Sequence, residues 1–167
     1  MKHEMTLASI SMDQKTKNPV IVLKSKSDAT LLPIWIGVLE ASSIVFAIHN
    51  TPFERPLTHD LFRDYLQRTE MSVSEVVISD LLNNTYHARI VFASESARFD
   101  LDARPSDAIA MAIRFKAPIF ANEEVLTKSQ EKPEEEAAEA ADKSDDGKKW
   151  AEYLSGLDPE DFGKYKI

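Results

Sequence analysis

The run RFDLDARPSDAIAMAIRFKAPIFA, residues 98–121, decides the fold. It opens as a short strand, Arg98–Leu101. It then passes through Arg104-Pro105 into a helix that starts at Pro105-Ser106-Asp107 and carries Ile109 and Ile113 on one face to about Lys116. Pro118–Ala121 is strand again. A strand, a helix and a strand in immediate succession call for a sheet with a helix packed on it.

Upstream, the pattern is mostly strand. Residues 5–12 (MTLASISM) alternate, PVIVLKS and TLLPIWI (30–36) follow, and Gly37 ends that run. From Glu40 the period changes: Ala41, Ile44, Val45 and Ile48 share one helical face, Phe46 points roughly opposite, and Asn50-Thr51-Pro52 stops the helix. A second helix grows out of RPLTHDLFRDYL (55–66). SVSEVVIS (72–79) and TYHARIVFA (85–93) are two strands, with Asn83-Asn84 as a hairpin turn and Tyr86, Ala88, Ile90 and Phe92 on one side. Glu123–Thr127 is a helical turn. The expected class is α+β: a compact domain with a mixed, mostly antiparallel sheet packed by about three helices.

The chain has 167 residues, enough for one domain with an appendage. The boundaries read as 1–127 for the domain, 128–147 for an acidic linker without large apolar side chains, and 148–167 for a tail. In the tail, Trp150, Tyr153, Leu154 and Leu157 recur on one helical face. Such a tethered amphipathic helix is expected to dock on its own or a neighbouring subunit of a homo-oligomer.

The formal charge of −8 is uneven. Fourteen acidic and seven basic residues fall from residue 122 onward, which leaves residues 1–121 at −1. The globular part therefore lacks the basic footprint usual in nucleic-acid binders. There are no cysteines, so disulfides and thiolate metal sites are excluded. No stretch approaches the length of a membrane span and no apolar leader is present, so a cytoplasmic protein is expected.

Two helix starts share one grammar. In the first, Arg55-Pro56 leads to Thr58 in the cap position, then His59 and Asp60. In the second, Arg104-Pro105 leads to Ser106 and Asp107. An acid in a first turn is stabilised by the helix dipole, and that alone accounts for Asp60. On the helical wheel Leu61, Phe62, Tyr65 and Leu66 form the apolar face, Asp60 points away from it, and His59 lies at its edge. Two helix starts beside two arginines could hold an anion. Asp60, Asp102 and Asp107, with Glu40, could instead hold Mg²⁺ or Mn²⁺ through oxygen. The bland alternative is that Arg55 and Arg104 pair with Asp60, Asp102 or Asp107 and lock the chain entering each helix. No Walker loop, H-E-x-x-H, G-x-G-x-x-G or G-x-S-x-G is present.

Four segments, PVIVLK (19–24), LPIWIG followed by EA (32–41), RPLTHDL (55–61) and DARPSDAIAMAIRFKAPIF (102–120), resemble the bifunctional nuclease domain family in order and spacing. The family is otherwise catalogued as a domain of unknown function. The resemblance covers roughly residues 5–126, and LDPEDFGKYKI is similar to tails of some bacterial members. Where many members have an acidic or glycine-rich turn, this chain has Asn83-Asn84.

The resemblance implies a compact α+β domain acting on nucleic acid, since plant members are reported to degrade both DNA and RNA. The matching polar positions are Glu40, Arg55, His59, Asp60, Asp102, Arg104 and Asp107. A nuclease reading makes His59 the general acid or base and sets Asp60, Asp102, Asp107 and Glu40 around Mg²⁺ or Mn²⁺. It leaves Arg55 and Arg104 to stabilise phosphoryl charge on single-stranded DNA or RNA. The alternative is a non-catalytic, anion-binding or regulatory homo-oligomeric module.

Overall fold

The structure, a computed structural model, describes residues 1–13 and 16–130. Seven strands and four helices follow in the order β1 (Lys2–Met12), β2 (Pro19–Ser25), β3 (Leu31–Trp35), α1 (Val38–His49), α2 (Thr58–Arg68), β4 (Ser72–Leu82), β5 (Thr85–Ala93), β6 (Arg98–Ala103), α3 (Pro105–Phe115), β7 (Ile119–Asn122) and α4 (Glu123–Gln130). The strands form one open sheet in the order β3-β2-β1-β7-β4-β5-β6. All pairings are antiparallel except β4 with β7. The α+β class and the mixed sheet are as expected.

Residues 98–121 are the topological hinge. β5 runs against β4 and β6 against β5, so β6 and β7 run the same way. The path β6–α3–β7 is therefore a crossover that carries the chain over β4 and β5 to pair β7 with both halves of the sheet. α3 lies at the centre of the core. Ala108, Ile109, Ala110, Met111 and Ala112 are all buried, because α3 packs on the sheet with one face and on α1 and α2 with another. Its alanines let those neighbours come close.

The β4–β5 hairpin turns on Asn83 and Asn84, both in the left-handed region (φ 48° and 63°), as a two-residue turn between right-twisted strands requires. Ala88, Ile90 and Phe92 alternate into the core. α1 begins two residues before Glu40 and buries Ala41 and Ile44, whereas Ile48 ends exposed. Phe46 meets Phe53 edge-on at 5.0 Å, so the loop after α1 covers part of its outer side. α4 runs three residues into the stretch read as linker, held by Lys128 on Asp80 (2.8 Å) and Ser129 on Tyr86 (3.0 Å). The acidic run beyond it and the amphipathic tail lie outside the described residues. Among those described, no helix is long and apolar enough to cross a membrane.

α2 departs from its wheel. Only Leu66 is buried, while Leu61 and Tyr65 are 60% and 61% exposed. The helix turns its polar edge, His59 and Asp60, toward the rest of the molecule. The reason lies in α3, where the Arg114 side chain is 3% exposed and needs a carboxylate, and Asp60 supplies it. Burying an arginine without a partner costs more than exposing two apolar side chains.

Candidate functional site

Three helix starts converge. Glu40, Asp60 and Asp107 each lie in the first turn of their helix, α1, α2 and α3. The two Arg-Pro starts do meet: His59 Nε2 is 3.0 Å from Asp107 Oδ1. On the other side of the ring, Nδ1 is 2.9 Å from Ser43 Oγ, one turn along α1 from Glu40. An ionised carboxylate only accepts, so Nε2 carries the proton and Nδ1 of the neutral ring accepts from the Ser43 hydroxyl. The result is a continuous Ser43–His59–Asp107 chain.

Two arginines flank it. Arg104 donates from Nε to Asp107 Oδ2 (2.7 Å), from Nη2 to Asp107 Oδ1 (3.2 Å) and from Nη1 to Glu40 Oε1 (2.8 Å), tying α1 to α3. A guanidinium has five N–H groups, so two remain to face solvent. Arg114 donates from Nε to Asp60 Oδ1 (2.8 Å), from Nη1 to Ala110 O (3.1 Å) and from Nη2 to Ser43 O (3.2 Å) and Ser43 Oγ (3.4 Å). Gly37 makes room for Glu40: a Cβ there would lie 2.3 Å from Glu40 Oε2.

Neither expected hydroxyl cap forms. α2 is preceded by Leu57 and α3 by Arg104, without a side-chain cap bond in either case, so Thr58 and Ser106 already belong to the first turns. Asp107 serves His59 and Arg104 instead. The hydrogen bond from His59, aided by Arg104, outweighs partial burial and pulls the Asp107 carboxyl from 3.8 down to about 2.

A carboxyl whose folded value is depressed adds stability that is present above its ordinary range and lost as pH falls through the folded value. Discounted for partial exposure, the gain at pH 7 is about 1–2 kcal/mol. Asp107→Asn is therefore expected to lower urea stability by that amount at pH 7, with the gap to wild type closing as pH falls from 4 toward 2. A penalty independent of pH would contradict this origin.

The structure separates the other expected residues. Asp102 lies in register with Arg89 on β6, and strand alternation places it with Asp100 on the sheet face away from the helices. Arg89 pairs with Asp100 there. Arg55 is exposed on the loop before α2 and makes no hydrogen bond or ion pair with another described residue. The lock that pairs arginine with acid thus holds for Arg104 but not for Arg55.

Among the described residues, no group of three or more His, Asp or Glu side chains is placed to hold a metal ion. Arg104 holds Glu40 and Asp107, Arg114 holds Asp60, and Asp102 is on the other face. As placed, this donor set does not fit Mg²⁺ or Mn²⁺, which would have to displace Arg104.

Ser43 and Arg114 escape the sequence reading. Their signal is spacing: Ser43 follows Glu40 by three residues, and Arg114 follows Asp107 by seven, so each pair shares a helix face.

The family model described as "Bifunctional nuclease domain" matches residues 21–134. An uncharacterized protein of Mycobacterium tuberculosis is 35% identical over 163 residues, covering 95% of this chain and 97% of the relative. Bifunctional nuclease 1 of Oryza sativa subsp. japonica is 33% identical over 110 residues, 63% of this chain and 33% of the relative. Bifunctional nuclease 1 of Arabidopsis thaliana is 35% identical over 112 residues, 63% of this chain and 34% of the relative. The match spans about a third of these plant proteins.

Proposed function

Because the chain belongs to the bifunctional nuclease domain family, we propose that it hydrolyses phosphodiester bonds of single-stranded DNA or RNA at the junction of α1, α2 and α3. The observation that carries this reading is the Ser43–His59–Asp107 chain: a hydroxyl on a base, and the base held by a carboxylate. The names of the plant relatives support the substrate class.

In this geometry the proton that Nδ1 can accept is Ser43's. As His59 takes it, Ser43 Oγ attacks phosphorus, a phosphoseryl ester forms, and the bond to the leaving sugar oxygen breaks. That oxygen takes the proton back from Nδ1–H. Water then attacks the ester, again losing a proton to His59, and Ser43 is released with its hydroxyl restored. Asp107 keeps the ring in the Nε2–H form and stabilises the imidazolium that forms in each step. The free N–H groups of Arg104 face the phosphoryl oxygens, and Arg114 favours negative charge at Oγ. No step is assigned to a divalent cation.

The test is cleavage of single-stranded DNA and RNA by the full chain, with Mg²⁺, Mn²⁺ or EDTA. Wild type is expected to cleave, and Ser43→Ala to lose at least about 100-fold in kcat. If Ser43→Ala keeps more than about a tenth of the rate, Ser43 is not the nucleophile and only positions the ring.

A further inference from the structure

The far edge of the sheet is open. β6 ends the strand order, and five of its six residues are exposed. On the helix side, Phe99 and Leu101 are 46% and 51% exposed beyond the reach of α3. The apolar surface continues from there: Phe99 stacks on Phe92 at 5.4 Å, Phe92 meets Phe62 at 6.1 Å, and Phe62 leads along α2 to Tyr65 and Leu61. An unprotected edge strand beside a contiguous apolar face is a surface built for a partner.

The charges identify that partner. Arg98, Asp100 and Asp102 alternate on the outer face of β6, with Phe99 and Leu101 on the inner. In an antiparallel pair, residues directly opposite share a face. If a second copy of β6 pairs about a two-fold axis through Asp100, Phe99 lies opposite Leu101 twice and Arg98 lies opposite Asp102 twice. The two Asp100 carboxylates then meet at the axis, each already paired with its own Arg89. The strand is thus complementary to itself, as an isologous contact demands. A nucleic-acid strand fits less well, because residues 98–104 carry two arginines and two aspartates and so no net charge.

We propose that β6 is the interface of a two-fold homodimer. The two sheets join edge to edge into one of fourteen strands, twice the seven of the single chain. Phe62, Tyr65 and Leu61 of each α2 close over the paired β6 strands. The contact accounts for the exposed apolar face of α2, and it leaves the Ser43–His59–Asp107 chain on the opposite flank of that helix, as His59 and Asp60 turn toward α1 and α3.

The test is sedimentation equilibrium of the full chain. Wild type is expected at twice the chain mass. Leu101→Lys, which puts a cation beside the axis, should raise the dimer dissociation constant at least about tenfold. Arg98→Asp and Asp102→Arg alone should each weaken the dimer several-fold, and the double variant should return it to within about twofold of wild type by restoring opposite charges. The pair of swaps keeps the test valid if Leu101→Lys folds poorly.

Wild type at single-chain mass up to millimolar concentration would overturn the proposal. So would a dimer indifferent to Leu101→Lys and to both single swaps. A monomer whose binding to a fluorescent single-stranded oligonucleotide is weakened by Leu101→Asp would assign this face to nucleic acid instead.

Discussion

His59→Ala is expected to lower kcat for single-stranded DNA and RNA by about 100- to 10,000-fold, the range that general acid–base groups supply. KM is expected to change little, because the ring contacts the reacting centre and not the remote parts of the strand. The fold should survive. The side chain is half-buried and its removal opens space at a surface junction, so urea stability should fall by no more than about 1–2 kcal/mol. Steady-state kinetics beside an unfolding curve checks both halves. Activity within a few-fold of wild type would move the chemistry away from this junction altogether.

Arg114→Met is expected to have the largest effect on stability of any single change at the site. The guanidinium is almost fully enclosed and serves Asp60, Ser43 O and Ala110 O at once. Methionine fills a similar volume but leaves Asp60 with only the longer contact to Arg63 (3.8 Å). Breaking a buried pair in this way costs about 3–5 kcal/mol, and the partial exposure of Asp60 places the expectation near the lower end, about 3 kcal/mol. For a chain of this size that is a fall in Tm of about 6–12 °C. Asp60→Asn should cost less, since the amide oxygen still accepts from Arg114. A loss below about 1 kcal/mol for Arg114→Met would mean that solvent already reaches the guanidinium.

The two variants differ in what they disturb. His59→Ala removes the proton carrier and is expected to leave the helices in place. Arg114→Met is expected to loosen the helices and also removes the positive charge beside Ser43 Oγ, so its activity and its stability should fall together.

How much of this was legible in the sequence depends on how local each signal is. α3, the Asn83-Asn84 hairpin and the alternation of β5 are legible, because period and turn chemistry are properties of a few neighbouring residues. The strand order was not legible. Nothing in the sequence of β7 says that it pairs with both β1 and β4.

α2 shows where a local rule gives way. Its apolar stripe is real, yet Leu61 and Tyr65 face outward, because the strongest demand on the helix is the carboxylate that Arg114 needs. That demand comes from α3, 54 positions away along the chain. Of the expected site, His59, Asp60, Asp107 and Arg104 from the two Arg-Pro starts gather at one junction, joined by Glu40, which lies outside that shared grammar. Asp102 and Arg55 sit one strand face and one loop away. Ser43 is marked in the sequence only by the helix face it shares with Glu40, and the distance to His59 is what gives it meaning.

The most direct measurement is kcat for single-stranded RNA in four proteins: wild type, Asp107→Asn, His59→Gln and the double variant. Asp107 acts on proton transfer through His59, and it also holds Arg104. Asp107→Asn should therefore slow wild type by at least about tenfold and slow the His59→Gln protein by a clearly smaller factor, the part that runs through Arg104. If Asp107→Asn costs the same factor in both backgrounds, or wild type cleaves no strand under any condition, the Ser43–His59–Asp107 chain is not a catalytic unit.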